Sequence, residues 1–147
     1  ILAEAIINQR AISGGTFRGF SAGSRPTGAV HPLALELLEA QHFPTAGLRS
    51  KSWDEFNGVD SPRLHFVFTV CDKAAAGACP IWPGQPMTAH WGVADPAAVT
   101  GSPDVQRRAF RDVFWTLTRR ITLLACLPGE KLGGLALQQR LDEIGQQ

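Results

Sequence analysis

Charge is scarce in this chain: charged residues make up 18% of it and the formal net charge is +1. Neither a basic stripe nor a run of like charges occurs, so the sequence carries no electrostatic footprint for nucleic acid or for a membrane surface. Long apolar runs are also missing. None approaches the roughly 18 residues of a membrane span, and no signal peptide opens the chain, so the expected location is the cytoplasm. Cysteine occurs only three times, an odd and small number for 147 residues. That excludes a disulfide scaffold and leaves buried, metal-binding or redox-active thiols. Tyrosine is absent altogether.

What is present is a composition, 44% hydrophobic, able to bury one core, so residues 1–147 are read as a single domain. The chain opens in a helical pattern without an N-cap, with Leu2, Ala5, Ile6 and Gln9 on one face. Phe17 to Ala22 can form a short strand leading into the turn-rich Ser24-Arg25-Pro26-Thr27-Gly28. Leu33, Leu37 and Leu38 recur at helical spacing between Pro32 and Gln41, with Glu36 and Glu39 outward. Residues 64–70, Leu-His-Phe-Val-Phe-Thr-Val, read as a strand covered on both faces in a parallel sheet, and a brief extended run follows from Met87 to Trp91. Ser102-Pro103-Asp104 combines a capping hydroxyl, a proline at the first helical position and an acid at the positive end of the dipole. The helix it starts carries Phe110, Val113, Phe114, Leu117, Ile121 and Leu124 as its buried stripe and stops at Pro128-Gly129, before a last helical piece over about residues 130–144. Strands alternating with helices predict an α/β domain with a parallel sheet.

In open α/β sheets ligands bind beyond the carboxyl ends of the strands. Cys71 directly follows the best strand, and Cys79 comes after a linker of small residues, Asp-Lys-Ala-Ala-Ala-Gly-Ala. The spacing is not a CxxC motif, so it leaves open a switchable dithiol or two unrelated cysteines. Asp95-Pro96 is in isolation an ordinary turn. Cys126, beside Leu124 near a helix end, reads as a buried inert thiol, and Arg107-Arg108 and Arg119-Arg120 as solvated helix faces. Trp53, Trp82, Trp91 and Trp115 read as core or loop anchors. His31, His42, His65 and His90 lack zinc-site spacing, and no metal is assigned.

Read as text, the stretch Phe-Thr-Val-Cys-Asp-Lys-Ala-Ala-Ala-Gly-Ala-Cys-Pro, followed by His90-Trp91-Gly92 and Asp95-Pro96, resembles the arsenate reductases of the low-molecular-weight protein tyrosine phosphatase superfamily. The resemblance extends to Ala3-Glu4-Ala5, Ser21-Ala22-Gly23, Val30-His31-Pro32 and Leu48-Arg49-Ser50-Lys51, and fades after Pro128. It implies a three-layer α/β sandwich with a short parallel sheet flanked by helices. It also implies a central first strand and an anion-binding loop, with a nucleophilic cysteine and an oxyanion-clamping arginine, that precede the position of Ile1. The expectation is therefore a domain truncated at its N-terminus and inactive by itself; an intact mass above that of these 147 residues checks it.

The resemblance further implies roles. Asp95 would act as general acid on the departing oxygen of arsenate, Cys71 would attack the thiol–arsenic adduct, and Cys79 would take over the disulfide. A thioredoxin-like or glutaredoxin-like thiol reductant would then open it, with no bound cofactor; phosphate and sulfate are the oxyanion analogues of the substrate. The nearest rival is a low-molecular-weight protein tyrosine phosphatase, which needs no relay cysteines. Against it, Ala97-Ala98 follow Asp95-Pro96 where those phosphatases place tyrosines. If Ile1 is the true N-terminus, a noncatalytic redox or binding module is the remaining alternative.

Overall fold

The computed structural model describes residues 1–9, 17–71, 80–128 and 132–147. Four helices make up most of the regular structure among the described residues: α1 (Leu2–Asn8), α2 (Pro32–Ala40), α3 (Pro103–Ala125) and α4 (Gly134–Gly145). Two strands, β1 (Phe66–Thr69) and β2 (Met87–His90), pair in parallel, with Phe66 opposite Met87 and Thr69 opposite His90. Single 3₁₀ turns lie at Trp53–Phe56 and Pro96–Ala98. Among the described residues no helix is long and apolar enough to cross a membrane.

Local chemistry explains where the helices begin. His31 caps α2, its Nδ1 accepting from the Leu33 N–H at 3.2 Å, with Pro32 at the first helical position. The Ser102 hydroxyl accepts from the Val105 N–H at 3.4 Å at the start of α3, as its sequence predicts. The stripe of α3 is also where the spacing puts it: Phe110, Phe114, Leu117, Ile121 and Leu124 are buried, and α1, α2 and α4 all pack against this helix. Leu2, Ala5 and Ile6 of α1, Ala34 and Leu38 of α2, and Leu141 and Ile144 of α4 complete the core.

Several expectations are corrected. Among the described residues Phe17–Ala22 runs without ladder pairing, because extended backbone becomes a strand only when a neighbour accepts and donates along it; a single parallel bridge, Gly23 to Ser52, lies just beyond it. All four residues of β1 are half-buried rather than covered on both faces. The final helix begins at Gly134, later than residue 130. Cys126 is exposed, because α3 ends at Ala125 and the cysteine occupies the C-cap beyond the buried stripe. Arg120 is buried, since it lies on the same side of α3 as Leu117 and Leu124. Trp115 is largely exposed, while Trp82 and Trp91 are buried and Trp53 meets Trp82 edge-on.

The Gly23–Ser52 bridge draws the two segments together through Gly23 N–H to Lys51 O (3.0 Å) and Trp53 N–H to Gly23 O (3.2 Å). This brings Lys51 and Ser21 onto the carboxylate of Glu4 in α1. Lys51 Nζ lies 3.0 and 3.2 Å from the two Glu4 oxygens, and the Ser21 hydroxyl donates at 2.6 Å. Glu4 and Lys51 are 9% and 7% exposed, so each ion depends on the other for the solvation that water no longer supplies. In the intact protein, Lys51→Met is expected to cost about 3–5 kcal/mol by urea unfolding, and adding Glu4→Leu to recover most of it, because the first change strands a buried charge and the second removes it. A loss below about 1 kcal/mol in the single variant would contradict this account.

α4 lies close against β2. A Cβ on Gly145 would come within 2.5 Å of the His90 carbonyl oxygen and 2.8 Å of the Trp91 ring, whereas one on Gly134 would meet only Met87 Cε at 3.7 Å. Gly145→Ala is therefore expected to destabilise by about 1–3 kcal/mol through forced separation of helix and strand. Gly134→Ala should stay within about 0.5 kcal/mol of the parent, as expected for a small helix-propensity change in free space. Equal effects in denaturant unfolding would show that close packing is not the cause.

Candidate active site

Parallel pairing carries both strands' carboxyl ends to one edge of the sheet. Cys71 leaves that edge two residues beyond the end of β1 and is a half-buried free thiol. The loop carrying Asp95 leaves it from β2. The two exits are joined: Trp91 N–H donates to Thr69 O and Val93 N–H to Val70 O, each at 2.8 Å, so the ladder continues one step past the last strand residues. The bond to Val70 fastens the Asp95 loop to the residue directly before Cys71. Cys79 lies outside the described residues.

Asp95 is exposed and caps its own turn. One carboxylate oxygen accepts from the Ala97 N–H at 3.0 Å, and Pro96 starts the 3₁₀ turn that follows. Ala97 and Ala98 are exposed beside it, so methyl groups rather than rings border the carboxylate on that side. His90, the last residue of β2, places Nδ1 2.8 Å from the Thr69 hydroxyl across the strand pair. A groove of about 680 Å³ runs along the α4 side of this loop between His90, Gly92, Val93 and Ala94 on one bank and Asp142, Gly145 and Gln146 on the other. It contains neither Cys71 nor Asp95.

The loop is anchored from behind by Trp91, read from the sequence as a core or loop anchor, by Arg120, read from it as solvated, and by Gln106. Trp91 is 2% exposed, stacks on Phe68 with ring centroids 4.0 Å apart, and donates its indole N–H to Leu141 O of α4 at 2.9 Å. Arg120 Nη1 donates to the carbonyls of Trp91 (2.8 Å) and Gly92 (3.1 Å). At the far end Gln106 Nε2 donates to Val99 O at 3.3 Å. A signal for Arg120 exists in the sequence: it stands at helical spacing between Leu117 and Leu124, where a solvated residue is out of place. Nothing comparable marks Lys51, which a separate segment brings to Glu4. Among the described residues no three His, Cys, Asp or Glu side chains gather as metal ligands.

Comparison with known proteins matches residues 1–133 to the family described as low molecular weight phosphotyrosine protein phosphatase, a match that ends just before α4. No curated protein matches the chain. The α/β architecture, with its short parallel sheet among helices, agrees with the three-layer fold of that family. Residues 1–133 being the greater part of these 147, the chain belongs to the low molecular weight phosphotyrosine protein phosphatase family.

Proposed function

We propose that the protein is an arsenate reductase built on this phosphatase fold, working by a cysteine relay. The observation that carries the reading is the junction at the sheet edge, where a thiol, Cys71, and a carboxylate loop, that of Asp95, leave neighbouring parallel strands tied by the Val93-to-Val70 hydrogen bond. A phosphatase needs the acid; it does not need the thiol.

In this reading the first attack comes from a cysteine thiolate on an anion-binding loop upstream of Ile1, because no cysteine of this chain is followed by an arginine at the five-residue distance the clamp requires. The thiolate forms a sulfur–arsenic(V) bond, and the departing oxygen leaves as water with a proton from Asp95. The Cys71 thiolate then attacks the sulfur of that adduct. A disulfide forms, the sulfur–arsenic bonding pair stays on arsenic, and arsenite, now As(III), departs. Cys79 attacks Cys71 in turn, freeing the first thiolate and leaving a Cys71–Cys79 disulfide. An external dithiol of the thioredoxin or glutaredoxin type reduces it, so two electrons enter per arsenate. Arsenate, with phosphate and sulfate as its analogues, and the dithiol protein are the partners.

The second reading is a phosphotyrosine phosphatase, favoured by the description of the matching family. Against it stands the wall beside Asp95, where Ala97 and Ala98 offer no aromatic surface to a tyrosine ring and the chain has no tyrosine to supply one. The intact protein decides between them. A reductase loses arsenate turnover in both Cys71→Ser and Cys79→Ser, by at least about 100-fold, while Asp95→Asn slows it about 10²–10⁴-fold through loss of the acid. Hydrolysis of an aryl phosphate undiminished in both cysteine variants, with no arsenate turnover in the parent, would sink the reductase reading.

A further inference from the structure

Among the described residues two cationic side chains are buried, and they are treated differently. Lys51 has a carboxylate; Arg120, 6% exposed, has none within hydrogen-bond distance among the described residues. Its Nη1 is shared between two carbonyl oxygens, and its Nε is buried without a partner. Burial pushes the guanidinium below its ordinary pKa, as expected for a charge removed from water and given only neutral dipoles in return. A leucine or methionine would fill the same place on the α3 stripe without that cost. The compensation lies in which carbonyls the guanidinium holds. They belong to Trp91 and Gly92, the two residues that begin the loop to Asp95, and Gly92 is the one that gives this stretch the most backbone freedom to restrain.

We propose that Arg120 is a positioning residue for Asp95: by clamping the Trp91 and Gly92 carbonyls it fixes the direction in which the loop leaves β2, and so the place of the carboxyl group. The geometry is that of a short span held at both ends by one helix. Arg120 of α3 holds its root, Gln106 of the same helix holds Val99 at its far end, and the bond from Val93 N–H to Val70 O registers it against the exit of Cys71. Asp95 is exposed between these anchors and its carboxylate has only the Ala97 N–H as a described hydrogen-bond partner, so its aim is inherited from the backbone. The inference rests on Asp95 being the general acid and holds for reductase and phosphatase alike.

The test uses the intact protein and whichever of arsenate or an aryl phosphate the parent turns over. Arg120→Lys keeps the charge and loses the planar fork; Arg120→Met removes both. Each is expected to lower kcat about 10–100-fold, the scale of a misplaced catalytic group, with KM within about twofold. In an Asp95→Asn background, Arg120→Lys should cost less than about threefold more, because an acid already removed cannot be misplaced. Amide hydrogen exchange gives a readout independent of activity: in folded Arg120→Lys, protection of Val93 N–H should fall about tenfold or more while that of Met87 N–H, bonded to His65 O in the ladder, is kept. Unchanged kcat in a folded Arg120→Lys, losses that multiply with those of Asp95→Asn, or unchanged Val93 protection would each overturn the proposal. Parent-like turnover in Asp95→Asn would instead remove the acid reading, and the positioning role with it.

Discussion

Burial of the Trp91 ring is the constraint on which the rest of this structure depends. An indole taken out of water needs apolar contact on its faces and an acceptor for its one N–H. Phe68 of β1 supplies the stacking surface, and α4 supplies the acceptor through the Leu141 carbonyl. The same residue's backbone donates to Thr69 and accepts from Arg120, so one side chain and its peptide groups join β1, β2, α3 and α4. Everything that leaves the carboxyl end of β2, including the aspartate, starts from this knot.

Charge inside the protein follows two regimes. Around Glu4 the ion pair is complete: an ammonium and a hydroxyl both donate to one carboxylate, and the three residues come from α1, the segment before Gly23 and the segment before Trp53. Such a pair contributes little net stability against an apolar substitute, but it penalises every mispairing of the segments it joins, since each would leave an uncompensated ion. Around Arg120 neutrality is never reached. The guanidinium is stabilised by carbonyl dipoles, a weaker arrangement that orders backbone rather than matching charge.

How much could be read beforehand depended on whether the controlling interaction was local. The start of α3 was legible because Ser102, Pro103 and Asp104 act within one turn. Both strands and their parallel sense were legible from β-branched and aromatic runs separated by a long crossover. Phe17–Ala22 misled because a strand's existence is a property of its neighbours, and propensity does not supply one. Cys126 misled by one position: a helix that ends at Ala125 turns the next residue to solvent, and helix ends are the least determined part of any pattern. Of the candidate site, Cys71 stands out in the sequence because it directly follows a strand signal, whereas Asp95, four residues beyond the Met87–Trp91 run, takes its meaning from the resemblance. Among the site's supports Trp91 was legible as an anchor but its partners were not, because Arg120, Leu141 and Trp91 meet only once α3 and α4 have folded onto the sheet.

α4 lies beyond the stretch that matches the family, yet it does more than fill space. In β2 the backbone of alternate residues faces β1, which leaves the groups of Thr88 and His90 pointing away from the ladder. The Gln138 amide takes the Thr88 carbonyl at 2.8 Å, and Gly145 sits directly over that of His90. An open strand edge is a template on which another chain's strand can add, and proteins commonly cover or blunt such edges. By covering two carbonyls of this one with a side-chain amide and a helix end, α4 blunts the edge of β2, so the same helix that steadies the loop also leaves the sheet a poorer template for strand addition.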